Sequence, residues 1–203
     1  MKWKAFSLVL VAIVFMGSVR FATTDTFTRD DLILPPSPDR FTICYHGSCD
    51  EIAEVNLSTD QWLSIRSIFS DNNNARQERE NIGRAVARME TIVGKITGTH
   101  VDKAGVFAHL GEEGQLDCID ESTNTSFYII MMINDGLIRW HTIEDRETRG
   151  YFLFGWPHTT AVIRDTQSAQ KYAVDSWFLD NGYPPYILPL EQWENGWKPA
   201  HFQ

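Results

Sequence analysis

The sequence predicts an α+β domain, because helix-forming segments come first along the chain and strand-forming segments follow. Residues 58–97 carry apolar side chains at helical spacing, and a further helix is expected near residue 118. Beyond residue 136 the apolar stretches become short and rich in β-branched and aromatic residues, which favours strands. A chain of 203 residues is long enough for one domain with a sizeable core.

Three helices are expected, each with a start or stop signal. Ser58, with Gln61 three residues later, forms a capping box ahead of the first helix. The second helix follows in ARQERENIGRAVARMETIVGKI, where apolar residues recur every three to four positions and Gly98 lies just past the end. A third helix should run from about Cys118 to Asn134, before Gly136.

Three neighbouring antiparallel strands are expected in the second half of the chain. They are GLIRWHTI, HTTAVI and KYAVDSWF, separated by the polar stretches EDRETRG and RDTQSAQ. The C-terminal stretch NGYPPYILPLEQWENGWKP is rich in proline and tryptophan. We expect it to wrap the domain as a short turn of helix plus coil.

The N-terminus has the pattern of an export signal. Lys2 and Lys4 precede a charge-free, mostly apolar run from Ala5 to Val19, which is long for a signal-peptide core and short for a membrane span. Residues 1–22 are therefore predicted to be either a cleaved signal or an anchor that holds the protein to the inner membrane through residues 5–19. A linker arm is predicted over residues 23–40, and the domain over residues 41–203. In both cases the domain is expected to be extracytoplasmic, periplasmic or secreted.

Export determines how the three cysteines are interpreted. Cys44 and Cys49, in CYHGSC, are close enough to form a disulfide in an oxidising compartment. A zinc site that adds His46 is the alternative, but no second ligand pair stands at zinc-finger spacing. Cys118 is left over, so it is either inert and buried or kept free because it reacts.

The charge balance excludes one class of partner and suggests no cofactor. The net charge of −9 repels nucleic acids, and no Lys/Arg cluster offsets it. A metal site built from His100, Asp102 and His109 is a weaker alternative, because their spacing matches no known ligand pattern. We therefore expect neither nucleic acid as a partner nor a bound metal or cofactor.

Three residues are spaced suggestively for nucleophilic catalysis. Cys118 begins a predicted helix, His158 begins a strand, and Asp175 lies near the end of the next strand. A helix N-terminus favours a thiolate, a nearby imidazole can take the thiol proton, and a carboxylate behind the imidazole fixes its tautomer. If the two strands pair across the short RDTQSAQ turn, His158 and Asp175 become cross-strand neighbours.

The acidic residues around Cys118 oppose this interpretation. Asp117, Asp120 and Glu121 crowd the first turn of the helix and should raise the pKa of a nearby thiol. A cysteine at a helix start is also a common packing residue. The residues alone therefore leave a nucleophile and an inert core cysteine both open.

The ordered set of motifs resembles the transglutaminase-like superfamily, and especially the bacterial transglutaminase-like cysteine proteinases. The stretch GQLDCIDE is similar to the acidic segment that opens their cysteine helix, HTTAVI to their histidine strand, and YAVDSWF to the strand that ends in their aspartate. The resemblance covers roughly residues 80–178. The acidic crowding around the cysteine is itself part of the family's pattern.

The resemblance implies a papain-like/transglutaminase-like core and acyl transfer by a Cys118–His158–Asp175 triad. It also implies an oxyanion hole made by the Cys118 backbone N–H and a second donor, either Gln115 or a loop tryptophan N–H. The expected function is an exported thiol enzyme that hydrolyses or transamidates a peptide or protein substrate, for example a cell-wall peptide. The alternative is an inactive member of the fold, anchored at the membrane as a peptide-binding or scaffold module.

Overall fold

The computed structural model describes residues 29–106, 112–150 and 157–202. Within these ranges the chain is α+β, with helices packed on antiparallel sheets. The elements in chain order are β1 (Phe41–Tyr45), β2 (Glu51–Val55), α1 (Thr59–Arg66), α2 (Ala75–Thr97), α3 (Cys118–Asn134), β3 (His141–Arg149), β4 (His158–Asp165), β5 (Lys171–Asp175), β6 (Tyr186–Pro189) and α4 (Leu190–Glu194).

The larger sheet has the order β3-β4-β5-β6, all antiparallel, while β1 and β2 form a separate hairpin. The main core lies between α2, α3, the hairpin and one face of the larger sheet, which contributes Ala161, Ile163 and Val174. Alternation along β4 places Val162 on the opposite face, where it packs with Trp193 of α4. The sheet is therefore covered on both faces.

The predicted helices are confirmed together with their signals. Ser58 accepts a hydrogen bond from the Gln61 backbone, and the Gln61 side chain accepts one from the Ser58 backbone. Gly98 ends α2 with a φ of 87°, a left-handed conformation that glycine adopts without strain. The third helix spans Cys118–Asn134, with the bounds that the sequence predicts.

Two predictions about strands are corrected. The first strand of the larger sheet was expected in GLIRWHTI and begins later, at His141, so that most of the polar EDRETRG stretch belongs to β3. This strand lies at one edge of the sheet, where polar residues can face solvent. The C-terminal stretch is not only helix and coil, because Tyr186–Pro189 pairs with β5 as the other edge strand. The β1–β2 hairpin was not predicted.

The described part of the predicted linker arm, residues 29–40, lies against the domain. Leu32 is buried in the main core, and the Ile33 N–H donates to Thr42 Oγ1 at 3.2 Å. Arg29 donates to the carbonyl of Cys49. These contacts fix this part of the arm onto the hairpin.

Among the described helices, none combines the length and the apolar character that crossing a membrane requires. The predicted signal or anchor in residues 1–22 lies outside the described residues.

Candidate active site

Cys118 is the first residue of α3, and the preceding residue caps that helix. The Asp117 side chain accepts hydrogen bonds from the backbone N–H groups of Ile119 and Asp120, both at 2.9 Å. The Asp120 side chain in turn accepts from the Asp117 backbone, which completes a capping box. Cys118 is 9% exposed, and its thiol receives a hydrogen bond from the Thr159 backbone N–H on β4.

The acidic residues beside Cys118 hold the loop of the β1–β2 hairpin. Asp120 accepts from the backbone N–H groups of Gly47 and Cys49, both at 2.7 Å, and Asp117 accepts from that of Ser48 at 2.8 Å. Three consecutive backbone N–H groups thus donate to two carboxylates, and these hydrogen bonds partly compensate the negative charge of the carboxylates. The acidic crowding in the sequence is explained by this loop, since both carboxylates have structural partners.

The loop is closed by the predicted disulfide between Cys44 and Cys49, which is confirmed. This bond removes both thiolates that the alternative zinc site would need. Residues 46–49 all have positive φ, which is unfavourable for non-glycine residues and depends on the surrounding structure. The cross-link and the two carboxylates together hold the amides in this arrangement.

Replacing Cys44 and Cys49 with serine is expected to destabilise the protein by about 2 kcal/mol, because the loop loses its covalent constraint. Urea melts of the double variant should show the loss, and reductant should lower the stability of the wild-type protein by a similar amount. Cys118→Ser is the control, because reductant should destabilise that variant as much as the wild type. Equal stability with and without reductant would contradict this role of the disulfide.

His158 and Asp175 form a buried pair. His158 Nε2 lies 2.7 Å from Asp175 Oδ2, and the side chains are 9% and 1% exposed. Asp175 stands opposite Tyr186 in β6, and the β4–β5 register that pairs Ala161 with Val174 makes His158 and Asp175 diagonal neighbours. The sequence predicts this contact from the short turn between the two strands.

Aromatic side chains pack around the His158 ring. Its centroid lies 4.7 Å from that of Trp177, 5.2 Å from Phe178 and 5.5 Å from Trp193. Trp193 is fully buried, and its Nε1–H donates to Asp175 Oδ2 at 2.6 Å. The imidazole and its carboxylate are therefore held in one orientation and shielded from water.

Cys118 and His158 share neighbours at the start of β4. The pairing of β4 with β5 ends at Ala161 and Val174, and Cys118 packs beyond that point in a cluster with Trp177 and Phe178. His158 Nδ1 is buried without a hydrogen-bond partner among the described residues, so no hydrogen bond joins it to the thiol. The structure thus shows the expected carboxylate–imidazole contact and places the Cys118 thiol beside Trp177 and Phe178, the same two aromatic residues that pack against the His158 ring.

Burial raises the pKa of the Cys118 thiol to about 11, while the Thr159 N–H opposes this effect, and Asp117 and Asp175 add to it. Without proton transfer to a base, a thiol with this pKa is ionised in only about one molecule in 10⁴ at pH 7. A reactive Cys118 would therefore need His158 to accept its proton.

The side chain of Gln115, the named candidate for the second oxyanion donor, is not free in the described structure, and neither is the Nε1–H of Trp177, the tryptophan that packs beside Cys118. Gln115 Nε2 donates to the Val101 carbonyl and its Oε1 accepts from the Lys103 N–H, both at 3.1 Å. Trp177 Nε1 donates to the Val106 carbonyl at 2.9 Å. Gln115 therefore holds the segment after α2. The Cys118 backbone N–H remains the proposed oxyanion donor.

The other residues singled out by sequence lie apart from this site or outside the described ranges. His141 is buried, with Nδ1 2.9 Å from Glu78 Oε1 and Nε2 3.1 Å from Arg79 Nη1. His100 contacts the Gly94 carbonyl, and His109 lies outside the described residues. No group of three or more His, Cys, Asp or Glu residues within the described ranges could hold a metal ion.

Three features of the site were not predicted. They are Trp193 in the C-terminal stretch, the Thr159 N–H at the thiol, and Arg146 beside the start of α3. The first two depend on contacts between distant parts of the chain, and the third on a local irregularity of β3. Local sequence patterns carry no signal for them.

Comparison of the chain with protein-family models, with curated proteins and with solved structures finds no match.

Proposed function

We propose that this protein is an exported cysteine-dependent acyl-transfer enzyme. The observation that carries the proposal is the state of His158: Asp175 fixes its Nε2, while its buried Nδ1, near the Cys118 site, has no hydrogen-bond partner among the described residues. A buried nitrogen without a partner costs free energy. The cost is explained if His158 Nδ1 is the base that accepts the Cys118 proton.

In the proposed reaction, His158 Nδ1 takes the Cys118 proton and the thiolate attacks the acyl carbon of the substrate. Asp175 stabilises the resulting imidazolium, and the Cys118 backbone N–H donates to the oxyanion. The imidazolium then protonates the leaving amine, the C–N bond breaks, and a thioester forms. Water or a second amine, deprotonated by the imidazole, then attacks the thioester carbon. The C–S bond breaks, the acyl product leaves, and the imidazolium returns its proton to the Cys118 thiolate.

The compartment and the substrate class belong to the same proposal. The Cys44–Cys49 disulfide supports an oxidising, extracytoplasmic location. The α+β arrangement, with a cysteine-bearing helix on an antiparallel sheet, is compatible with a papain-like/transglutaminase-like core. That resemblance favours a peptide or protein substrate. The net charge of −9 opposes nucleic acid as a partner.

The alternative is a non-catalytic peptide-binding or scaffold module. One observation favours it: Cys118 is nearly buried, and desolvation holds the pKa of its thiol at about 11. A purely structural cysteine would have these properties. The two functions differ in whether His158 controls the reactivity of the thiol.

Alkylation by iodoacetamide tests the proposal, with mass spectrometry locating the adduct. At pH 7 we expect Cys118 to react faster than a thiol of pKa about 11 should, and His158→Ala to slow it at least tenfold. His141→Ala is the matched control, because that histidine pairs with Glu78 away from the site. Slow labelling that is the same in wild type and His158→Ala would support the scaffold module instead.

A further inference from the structure

Strand β3 contains a bulge near the start of α3. Residues 141–144 pair with residues 162–165 in one register, and residues 147–149 pair with residues 158–160 in a register shifted by one residue. Asp145 and Arg146 therefore both stand opposite Ala161. A bulge of this kind adds one residue to one strand and changes the direction of its side chains.

Because of the extra residue, each side chain of β3 after the bulge points to the opposite face of the sheet from the one that regular alternation would give. Before the bulge, Ile143 faces the main core with Ile163. Beyond it, Thr148 pairs with Thr159, the two hydroxyl oxygens lying 2.9 Å apart. Alternation then places Arg146 on the face that carries α3, where a regular strand would have directed it away.

Arg146 contacts the first turns of α3 through Nη1. This group donates to Thr123 Oγ1 and, at 3.4 Å each, to Ser122 Oγ and the Ile119 carbonyl. Burial lowers the pKa of Arg146, whereas the nearby Cys118 and Asp117 raise it. A cation near a helix N-terminus is unfavourable to the helix dipole, so this position is costly unless negative charge is nearby.

We infer that Arg146 is a positioning residue for the proposed reaction, a fixed cation that stabilises the Cys118 thiolate when its proton moves to His158. This inference rests on the proposed function. The charged groups that act on the Cys118 sulfur are Asp117 from the start of α3, Asp175 from β5 and Arg146 from β3, and in the proposed reaction the His158 imidazolium from β4 joins them. Two of these are anions, so a thiolate opposed by them needs a cation besides the imidazolium.

The first test is the pH profile of Cys118 alkylation in Arg146→Met, a neutral side chain of similar length. We expect the apparent pKa of the Cys118 thiol, read from this profile, to rise by about one unit. The rate of alkylation at pH 7 should then fall about tenfold. Arg146→Lys, which keeps the charge, should retain most of the rate. Arg164→Met is the control, because Arg164 pairs with Glu144 and is 46% exposed.

The second test is charge rescue by Asp117→Asn, since asparagine caps helices as well as aspartate. The exposed Ser48 N–H that loses its acceptor can bind water. Alone, Asp117→Asn should lower the apparent pKa of the Cys118 thiol. Combined with Arg146→Met, it should return the alkylation rate at pH 7 to within about threefold of wild type. Rescue would not follow if Arg146 only supported the packing of α3.

The outcomes distinguish a failure of the proposed function from a failure of the inference about Arg146. If His158→Ala slows labelling and Arg146→Met does not, the inference about Arg146 is wrong and the proposed function stands. If His158→Ala has no effect, the proposed function fails. If Arg146→Met does not fold, Arg146→Gln takes its place, and a folded Arg146→Gln with the wild-type profile would overturn the inference. If neither neutral variant folds, an Arg146→Lys profile that moves upward by a full pH unit although the charge is kept would assign Arg146 a structural role and overturn the inference.

Discussion

Replacing His158 with alanine is expected to lower turnover of an activated acyl substrate, such as a p-nitrophenyl ester, by up to about 10⁶-fold. The reason is that the desolvated Cys118 thiol, with a pKa of about 11, loses the base that takes its proton. Cys118→Ser should lose as much activity, because a hydroxyl is a far weaker nucleophile than the thiol. The double variant should be no worse than either single variant, since the two groups act as one unit.

Thermal melts must accompany these rates. Cys118→Ser should keep the wild-type melting temperature if the site opens to substrate. In a sealed apolar site, by contrast, the unpaired hydroxyl would cost about 1–3 kcal/mol. A destabilised Cys118→Ser protein, with no activity in the wild type to lose, would rule out the enzyme.

Asp175→Asn should have a smaller effect, and the structure gives the reason. Both His158 Nε2 and Trp193 Nε1 lie within hydrogen-bonding distance of the same carboxylate oxygen. An asparagine can place its carbonyl oxygen there and keep the imidazole tautomer. It still loses the charge that stabilises the imidazolium. We therefore expect a loss below the ~10⁴-fold seen where the tautomer is also wrong, and a further loss when Trp193→Phe is added.

The residues of the proposed triad could be predicted because each carries a local signal. Cys118 follows an N-cap aspartate, His158 begins an apolar strand, and Asp175 ends the strand across a short turn. A short turn limits the register, so the contact between the last two follows from residue counts. The helices could be predicted for the same reason, since caps and apolar stripes are local.

The other parts of the site depend on contacts between segments that are distant in sequence. The hairpin loop reaches Asp120 across 73 residues, and its partners cannot be read from CYHGSC. Trp193 lies 18 residues beyond Asp175, in a stretch whose prolines suggested coil. The bulge that directs Arg146 arises inside a polar edge strand, which has no apolar alternation to reveal a shift of register.

Three buried carboxyl groups next to the site should make the protein less stable as the pH rises. Glu90 of α2, Asp102 after α2 and Glu121 of α3 are each at most 8% exposed. Glu90 accepts from the Gly182 N–H at 2.9 Å, and Asp102 accepts from the Leu116 N–H at 2.6 Å. Glu121 lies close to Asp102 and Ser176, so the group joins α3 to the end of β5.

Burial raises the pKa of Glu90 to about 8 and that of Asp102 to about 7, and raises the pKa of Glu121 well above its usual range. In the unfolded chain the same groups lose their protons near pH 4. Between these values the folded state binds more protons than the unfolded state. The stability contributed by the bound protons is therefore full at acid pH and is lost as the pH rises through 7 and 8.

We expect the melting temperature to fall from pH 5 to pH 8, with each carboxyl contributing up to about 1.4 kcal/mol per pH unit. Glu121→Gln, a neutral side chain of the same shape, should flatten this dependence and raise the melting temperature at pH 8. Glu54→Gln is the control, because Glu54 is exposed and paired with Arg40, so the slope should not change. A wild-type melting temperature that rises over this range, together with an unchanged slope in Glu121→Gln, would show that these carboxyls are ionised in the folded protein.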